Sequence, residues 1–372
     1  MKKVLSIILA LVFILTIAAA CASPAPPHPP PQPPAQTPTA PNGEDAVDSA
    51  PGTVWNDVYS ATPSTDQEVV PATPIMISAA ELNEIRGNDN VILIGVISPT
   101  AALVPFSNAA NPVRYSYLVW ADDYLGPNPE ESFYQGDTIY RVPLSQMENL
   151  LSRAGVTADS IIVVYSSDWL SQGARVAWHL SMLGLNVRFL DGGVAAWRSI
   201  RGATGRSNRL SGQSVQNDFR APNYDPPSFN ASIELVIEAA QNPDEWVLID
   251  TRTAGQFAGT DREGMAYGTG RIKGAVHVDW EANFDSDGLL LPHDELMALY
   301  SFIGDRKVIV YCQGGVRSAY TWIVLRDLGF ETVLNFDGSW IHWSWAASDF
   351  SDFPSDVILG LTEAWTDNNG KI

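Results

Sequence analysis

The sequence has little cysteine and little positive charge. Its 372 residues contain two cysteines, so a disulfide framework cannot hold the fold together. The 22 Lys and Arg residues are outnumbered by 42 Asp and Glu residues, and the formal net charge is −20. This surplus argues against nucleic-acid binding and against electrostatic docking on anionic lipid, because both depend on Lys and Arg. The histidines are scattered without a ligand spacing, so we predict no metal site: His28, His179, His277, His293 and His342.

The first cysteine ends a hydrophobic leader. Lys2 and Lys3 precede an unbroken apolar stretch over residues 4–20, which predicts a secretory signal over residues 1–20. Cys21 follows directly on small residues, as at the cleavage site of a bacterial lipoprotein, where the cysteine becomes the new N-terminus and carries the lipid. We therefore expect an exported protein that is lipid-anchored through Cys21 to the outer face of the bacterial cytoplasmic membrane. An ordinary cleaved leader and an uncleaved anchor helix are the alternatives.

Composition divides the rest of the chain into a tether and two similar halves. Residues 21–72 are rich in Pro, Ala, Thr and Ser, which favours an extended, disordered tether. After it we predict a first domain, a polar linker that contains prolines, a second domain and a tail: residues 73–203, 204–227, 228–355 and 356–372.

The two halves repeat one pattern. In each, a run of apolar and β-branched residues leads into a helical segment that ends at a glycine, and a short strand then leads to an Asp-Gly motif. The spacing from Tyr165 to Asp191 equals the spacing from Tyr311 to Asp337. Short strands that alternate with helices predict an α/β fold with a parallel sheet flanked by helices in each half. Ligands of such sheets bind at the loops that follow the carboxyl ends of the strands.

The second cysteine lies in such a loop. Cys312 follows the apolar run 307–311 and opens the loop 312–318, Cys-Gln-Gly-Gly-Val-Arg-Ser, which leads into a helix near Ser318. The unpaired amides and the dipole at a helix start favour an anion and lower the pKa of a thiol placed there. Glycines let successive amides turn inward, and Arg317 adds a fixed positive charge. We predict that Cys312 is an exposed, ionised nucleophile beside a bound anion.

These motifs and the repeat resemble the tandem-domain members of the rhodanese family of sulfurtransferases. The loop opened by Cys312 is similar to the family's active loop, and the Asp-Thr-Arg of residues 250–252 to its strand-end motif. Residues 270–275 are similar to its Gly-His-Ile-Pro-Gly-Ala segment, and residues 337–340 to its terminal motif. The resemblance implies two rhodanese-like domains, of which the second is catalytic, and it implies no metal or organic cofactor.

The resemblance also implies sulfur transfer by double displacement. Cys312 takes the outer sulfur of a small anionic donor such as thiosulfate, and cyanide or a thiol then accepts it. In this scheme the resulting persulfide is cradled by the next six residues: Gln313, Gly314, Gly315, Val316, Arg317 and Ser318. Further candidates for substrate binding are Arg271, Arg262 and Gln256. Asp250 and Arg252 are candidates for structural support.

The loop departs from two signatures of the family. Thiosulfate enzymes of the tandem type commonly have Cys-Arg-Lys-Gly-Val-Thr, and mercaptopyruvate enzymes have Cys-Gly-Ser-Gly-Val-Thr. Here Gln313 and Gly314 occupy the variable positions, and Arg317 stands in place of Thr. Gln256 stands where mercaptopyruvate enzymes often carry an arginine. Thiosulfate is therefore the expected donor.

The first half lacks the residues of the loop. Ser166 stands at the position of Cys312, and Ser171 or Gln172 stands near the position of Arg317. Gly95 replaces the counterpart of Asp250. We predict that this half is inactive, packs against the second half and walls the cleft.

Two other functions remain open from the sequence. Phosphatases and arsenate reductases use a Cys-x5-Arg loop, whereas Cys312 and Arg317 are one residue closer, which favours a sulfane sulfur over a phosphate. A non-catalytic, surface-tethered binding module that has kept an old loop is the second alternative. For Arg317 itself, a salt bridge to a surface carboxylate is the alternative to anion binding.

Overall fold

The computed structural model describes residues 75–97, 116–119, 121–126, 140–166, 169–205, 207–261, 263, 265–286 and 288–349. The predicted signal peptide, the tether and the tail lie outside these residues, as do Cys21 and Arg262. Among the residues that are described, no helix is both long enough and apolar enough to span a membrane.

Strands and helices alternate along the described chain. The strands are β1 (Met76–Ile77), β2 (Val91–Val96), β3 (Tyr117–Val119), β4 (Leu125–Gly126), β5 (Tyr140–Arg141), β6 (Ile161–Ser166), β7 (Asn186–Leu190), β8 (Asn208–Arg209), β9 (Trp246–Asp250), β10 (Val276–His277), β11 (Lys307–Tyr311) and β12 (Val333–Asn335). The helices are α1 (Ala79–Ile85), α2 (Ala121–Tyr124), α3 (Leu144–Ala154), α4 (Leu170–Ser181), α5 (Gly193–Ser199), α6 (Ile233–Gln241), α7 (Ala254–Ala258), α8 (His293–Leu299), α9 (Val316–Asp327) and α10 (Ser339–Asp349).

Each half of the chain forms its own parallel sheet. The first sheet has the order β1-β7-β6-β2-β3-β8, and the second has the order β10-β9-β11-β12. All strand pairs within these two sheets are parallel, and β4 and β5 form a separate antiparallel pair. The order β7-β6-β2-β3 of the first half corresponds to β12-β11-β9-β10 of the second. The α/β fold expected from the sequence is therefore confirmed, with the repeated pattern in both halves.

The register of the strands aligns the two halves residue by residue. Gly95 pairs with Tyr165 across β2 and β6, and Asp250 pairs with Tyr311 across β9 and β11. Gly95 therefore occupies the place of Asp250. A Cβ atom on Gly95 would lie 2.4 Å from the Tyr165 hydroxyl, so this tyrosine fills the space that a side chain would need.

Helices α4 and α9 join the two halves. They pack against each other, and most of the residues of each are buried. A helix that is buried on all sides belongs to the centre of a larger core. One hydrophobic cluster accordingly contains side chains of both halves, and the rings of Phe189 and Tyr320 meet edge to face at 5.8 Å. Each of these helices follows a sheet strand, so the loops after β6 and β11 lie near the contact between the halves.

The segment 204–227, predicted to be a linker, is partly structured. It contains β8, which pairs with β3 at the edge of the first sheet, and a 3₁₀ turn over Leu210–Gly212. Leu210 is fully buried and Phe219 nearly so. These isolated apolar residues attach the segment to the core, although most of their neighbours are polar.

Candidate active site

The chain turns from β11 into α9 at a left-handed glycine. The helix begins at Val316, two residues earlier than the sequence suggested, and Gly315 caps it with φ 72°. A Cβ atom on Gly315 would lie 2.4 Å from Nη1 of Arg175 and 2.5 Å from the carbonyl oxygen of Asp337. Both the backbone conformation and the space therefore require glycine at this position.

The carbonyl groups at the start of the loop are held by α10. The amide of Trp340 donates to the carbonyl of Cys312, and the amide of Ile341 donates to the carbonyl of Gln313, both at 3.0 Å. In a trans peptide the amide of the next residue points opposite to the carbonyl. The amides of Gln313 and Gly314 are therefore turned away from α10, as an anion nest requires.

The carbonyl of Gly315 is also held, by two side chains. Arg175 donates to it through Nη1 at 3.1 Å, and Asn335 donates through Nδ2 at 3.0 Å. The side-chain oxygen of Asn335 accepts from the Ser318 hydroxyl at 2.6 Å. These contacts tie the beginning of α9 to β12 and to a helix of the first half.

Ser339 fixes the loop from inside. Its hydroxyl accepts from the amides of Cys312 and Gly315 at 3.1 and 2.9 Å, and it donates to the carbonyl of Phe336 at 2.7 Å. Ser339 is fully buried and has φ 50°, a left-handed conformation that is rare for a residue with a side chain. The backbone here is held in an unfavourable conformation that aims the hydroxyl at the two amides.

Cys312 is buried, with 1% of the residue exposed, so the expectation of an exposed thiol was wrong. Two residues of its own loop, Gly314 and Ser318, provide hydrogen bonds to the thiol. Burial raises the pKa of the thiol, but Arg317, the hydroxyl and amide of Ser318 and the amide of Gly314 outweigh burial. The pKa of Cys312 is therefore lowered, and the protein favours the thiolate.

Arg317 lies in a polar cluster beside the thiol. It donates to Oε1 of Gln256 at 3.0 Å and to Oε2 of Glu263 at 2.8 Å. Gln256 also donates to the same carboxylate, and Gln313 donates to the main-chain carbonyl of Glu263 at 3.4 Å. Half of the Glu263 side chain is exposed, so the surface-carboxylate pairing considered from the sequence is present. The same arginine also lowers the pKa of Cys312.

The local fold explains the place of Gln256. It is the third residue of α7, where it forms a capping box with Thr253: each side chain accepts from the main-chain amide of the other. This fixes the amide group so that its oxygen faces Arg317. Gln256 is thus a support for the arginine in this structure.

Asp250 and Arg252 form a buried ion pair at the end of β9, with 2.6 Å between Oδ2 and Nη2. Arg252 also donates to the carbonyl of Gly270 at 2.7 Å, and its guanidinium lies 4.7 Å from the ring centre of Trp340. These contacts tie β9 to α10.

Arg271 lies against α7. Its guanidinium is 4.7 Å from the ring centre of Phe257, and it donates to the carbonyl of the same residue at 3.3 Å. The structure therefore brings Gln256 to the loop directly, whereas Arg271 is attached to the element that carries Gln256.

The corresponding loop of the first half holds a serine. The Ser166 hydroxyl is buried and accepts from the amide of Gly173 at 2.8 Å. Leu170 and Val316 both begin their helices four residues after these positions, so Ser171, and not Gln172, matches Arg317. The first half thus has the hydroxyl of Ser166 where the second has the thiol of Cys312. It has the hydroxyl of Ser171 where the second has the positive charge of Arg317.

Sequence reasoning missed three contributors to the loop. Glu263 and Asn335 stand in no motif, and no sequence signal points to them. Arg175 belongs to the half that lacks the cysteine, yet it reaches Gly315. The equal spacing of the two halves gave a partial signal for Arg175, because it shows that its helix α4 is the counterpart of α9.

Comparison with known proteins identifies the class. The profile described as "Rhodanese-like domain" matches residues 235–346. The thiosulfate sulfurtransferase of Corynebacterium glutamicum is 30% identical over 240 residues, which are 60% of this chain and 73% of that protein. The putative thiosulfate sulfurtransferase SseA of Mycobacterium bovis is 32% identical over 212 residues, 53% of this chain and 68% of that protein.

Solved structures share the fold at lower identity. The anaerobic ergothioneine biosynthesis enzyme of Chlorobium limicola has a TM-score of 0.62 at 19% identity, with 76% of this chain and 69% of that chain covered. The Tum1 protein of Saccharomyces cerevisiae has a TM-score of 0.61 at 18% identity, with 74% and 96% covered. The family profile and the sequence relatives show that the chain belongs to the rhodanese family. It is a sulfurtransferase of the type that its relatives' names describe.

Proposed function

We propose that the protein moves a sulfane sulfur from thiosulfate, or a similar anionic donor, to cyanide or a thiol through a persulfide on Cys312. One observation supports this above the others. The Cys312 thiol is buried, yet its pKa is lowered by a positive charge and by hydrogen bonds from its own loop. A persulfide needs the same stabilisation, because its terminal sulfur is also an anion.

In the first step the thiolate of Cys312 attacks the outer sulfur of thiosulfate. A new S–S bond forms to Cys312, the S–S bond of thiosulfate breaks, and its electron pair leaves with sulfite. The positive charge of Arg317 and the inward amides of the loop stabilise the negative charge throughout. No oxidant or reductant is consumed, because sulfur only changes partner.

In the second step the acceptor attacks the terminal sulfur of the persulfide. With cyanide, a C–S bond forms, the persulfide bond breaks, and thiocyanate leaves. The electron pair of the broken bond returns to Cys312 as a thiolate. With a thiolate acceptor the same transfer yields a new persulfide on the acceptor.

The polar cluster over the loop supplies the binding step. Arg317 is held by Glu263 and Gln256, both of which a donor oxyanion can replace as hydrogen-bond acceptors. A bidentate guanidinium suits the oxygen atoms of thiosulfate. We propose that the donor enters by exchange with Glu263, which is half exposed and is therefore able to move into water.

We also propose that the protein is exported and held by a lipid on Cys21 at the outer face of the bacterial cytoplasmic membrane. The residues that support this are the basic and apolar leader before Cys21 and the proline-rich tether after it. Metabolic labelling of the full chain with a radioactive fatty acid tests the anchor. Label on the parent and none on Cys21→Ser supports it, whereas equal label on both contradicts it.

Mass spectrometry tests the persulfide. After thiosulfate treatment, the peptide that holds Cys312 should gain the mass of one sulfur atom, and cyanide should remove it with release of thiocyanate. Cys312→Ser is the matched control, because it changes one atom of the chain. A parent protein that gains no sulfur, or gains it on another peptide, would overturn the proposed function.

A further inference from the structure

We infer that Arg175, in the half that lacks the cysteine, is a positioning residue for the persulfide loop of the other half. The inference rests on the proposed function. Arg175 lies in α4, which packs against α9, and only 1% of the residue is exposed. Because Arg175 reaches across the contact between the halves, residues of both halves shape the active loop.

The guanidinium of Arg175 binds two groups of the second half at once. Nη1 donates to the carbonyl of Gly315, which caps α9, and Nη2 pairs with Oδ1 of Asp337. A Cβ atom on Gly315 would lie 2.4 Å from Nη1, so the arginine touches the backbone of the loop directly. The fixed fork of a guanidinium can serve a carbonyl and a carboxylate together, which an ammonium group cannot do in the same geometry.

The carbonyl contact determines which way the loop amides face. While the carbonyl of Gly315 points toward Arg175, the amide of Val316 in the same peptide points to the opposite side. The start of α9 is then fixed, and with it the amide of Ser318, which helps to lower the pKa of Cys312. Arg175 therefore acts on the sulfur through the backbone and does not touch it.

A comparison of the two halves shows that docking alone does not require this arginine. In the first half, Oδ1 of Asp191 accepts from the main-chain amide of Leu290 at 3.3 Å. In the second, Oδ2 of Asp337 accepts from the main-chain amide of Arg141 at 3.3 Å. In each half, this carboxylate therefore accepts a hydrogen bond from a main-chain amide of the other half.

The arginines are added on one side only. Arg141 and Arg175 both pair with Asp337. In the other half, the residue that makes the main-chain contact of Arg141 is Leu290, and the residue at the position of Arg175 by equal spacing is Thr321. Leu290 and Thr321 carry no charge. The two cations therefore serve the carboxylate beside the thiol loop, and the loop beside Ser166 receives none from these positions.

The test measures the thiolate itself. The rate of iodoacetamide labelling of Cys312 is followed against pH in the parent and in Arg175→Lys, which keeps a charge opposite Asp337, and Arg175→Met, which removes it. Arg326→Lys is the control: Arg326 also donates to main-chain carbonyls, those of Phe330 and Glu331, but at the far end of α9.

We expect the apparent pKa of Cys312 to rise by about one unit in Arg175→Lys and persulfide loading to slow by about tenfold, the effect of one lost charge-assisted hydrogen bond. The KM for thiosulfate should change less than the loading rate, because Arg175 does not contact the donor. Arg326→Lys should leave the labelling profile unchanged.

A lower melting temperature with an unchanged labelling profile and loading rate in Arg175→Lys would overturn the inference, since that is the result of a docking role alone. If Arg175→Met fails to fold, Arg175→Lys decides. Labelling needs no sulfur donor, so it separates the two claims. A parent that forms no persulfide defeats the proposed function, while the labelling shift still tests Arg175.

Discussion

The main-chain amide of Cys312 donates to the hydroxyl of Ser339 at 3.1 Å. This contact joins the thiol loop to the first residue of α10, whose next two amides hold the carbonyls of Cys312 and Gln313. The loop is therefore assembled on a helix that begins 27 residues after the cysteine. Its shape depends on α10 as much as on its own glycines.

Ser339→Ala should loosen the loop. The amides of Cys312 and Gly315 lose their acceptor while remaining buried, which costs about 1–3 kcal/mol for each unsatisfied group. We expect a lower free energy of unfolding in urea and slower labelling of Cys312 at neutral pH. Ser344→Ala, a buried serine of the same helix, is the control and should lower stability without changing the labelling. Equal labelling of Ser339→Ala and the parent would contradict this account.

Arg317→Ala and Glu263→Gln should act in opposite directions on donor use. Loss of Arg317 removes a positive charge that lowers the pKa of Cys312, so the labelling pKa should rise. The kcat/KM for thiosulfate should fall by about tenfold or more, as expected for a lost charge-assisted contact. Glu263→Gln removes the competing carboxylate and should lower the KM for thiosulfate. A KM that rises in Glu263→Gln would show that the glutamate helps to bind the donor.

Ser166→Cys should not create a second active site. In a Cys312→Ser background the new thiol stands at the corresponding turn, but Ser171 replaces the arginine there. We expect no persulfide at position 166 after thiosulfate treatment, as read by mass spectrometry of the digested protein. A stable sulfur adduct at that position would mean that the shape of the turn suffices without the positive charge.

Stability should fall on mild acidification. Burial, with Arg141 and Arg175 nearby, holds the pKa of His179 well below its ordinary value, and burial lowers the pKa of His342 to about 4. Above pH of about 6.5 neither state binds a proton on these groups. Below it the unfolded chain takes up protons that the folded protein refuses, so the free energy of unfolding drops by up to about 1.4 kcal/mol per pH unit for each histidine.

Urea unfolding followed by tryptophan fluorescence at pH 7, 6 and 5 measures this slope. His342→Phe removes one titrating group and should make the slope shallower by up to one proton. Stability that is flat or increases between pH 7 and pH 5 would contradict the assignment of buried, neutral imidazoles. Within the described part of the chain, neither ring nitrogen of His179 has a hydrogen-bond partner, so no such contact stabilises a protonated ring in the folded protein.

The fold followed from the sequence because its signals are local and repeated. The apolar run 307–311 forms strand β11 with the same bounds. The equal spacing from each tyrosine to each Asp-Gly motif is matched by the same order of the four corresponding strands in both sheets. Such periodic patterns determine which residues can be buried together.

The site was only partly predictable, for a physical reason. Cys312 and its loop are contiguous, and a thiol at a helix start is recognisable from sequence. Its burial was not, because the loop that contains it is held by α10 and by Arg175, 137 residues before the cysteine along the chain. Contacts such as Arg317 with Glu263 join residues from separate loops, and no spacing rule relates them.

The contacts that Asp191 and Asp337 each make with the other half have an evolutionary consequence. After a duplication, the copy without the cysteine is free to drift wherever it faces only water. At Arg141 and Arg175 it is not free, because the loss of either arginine would leave the buried carboxylate of Asp337 without one of its two counter-charges. Selection on the working copy thus maintains the other one, and the gene is expected to be inherited with both halves together.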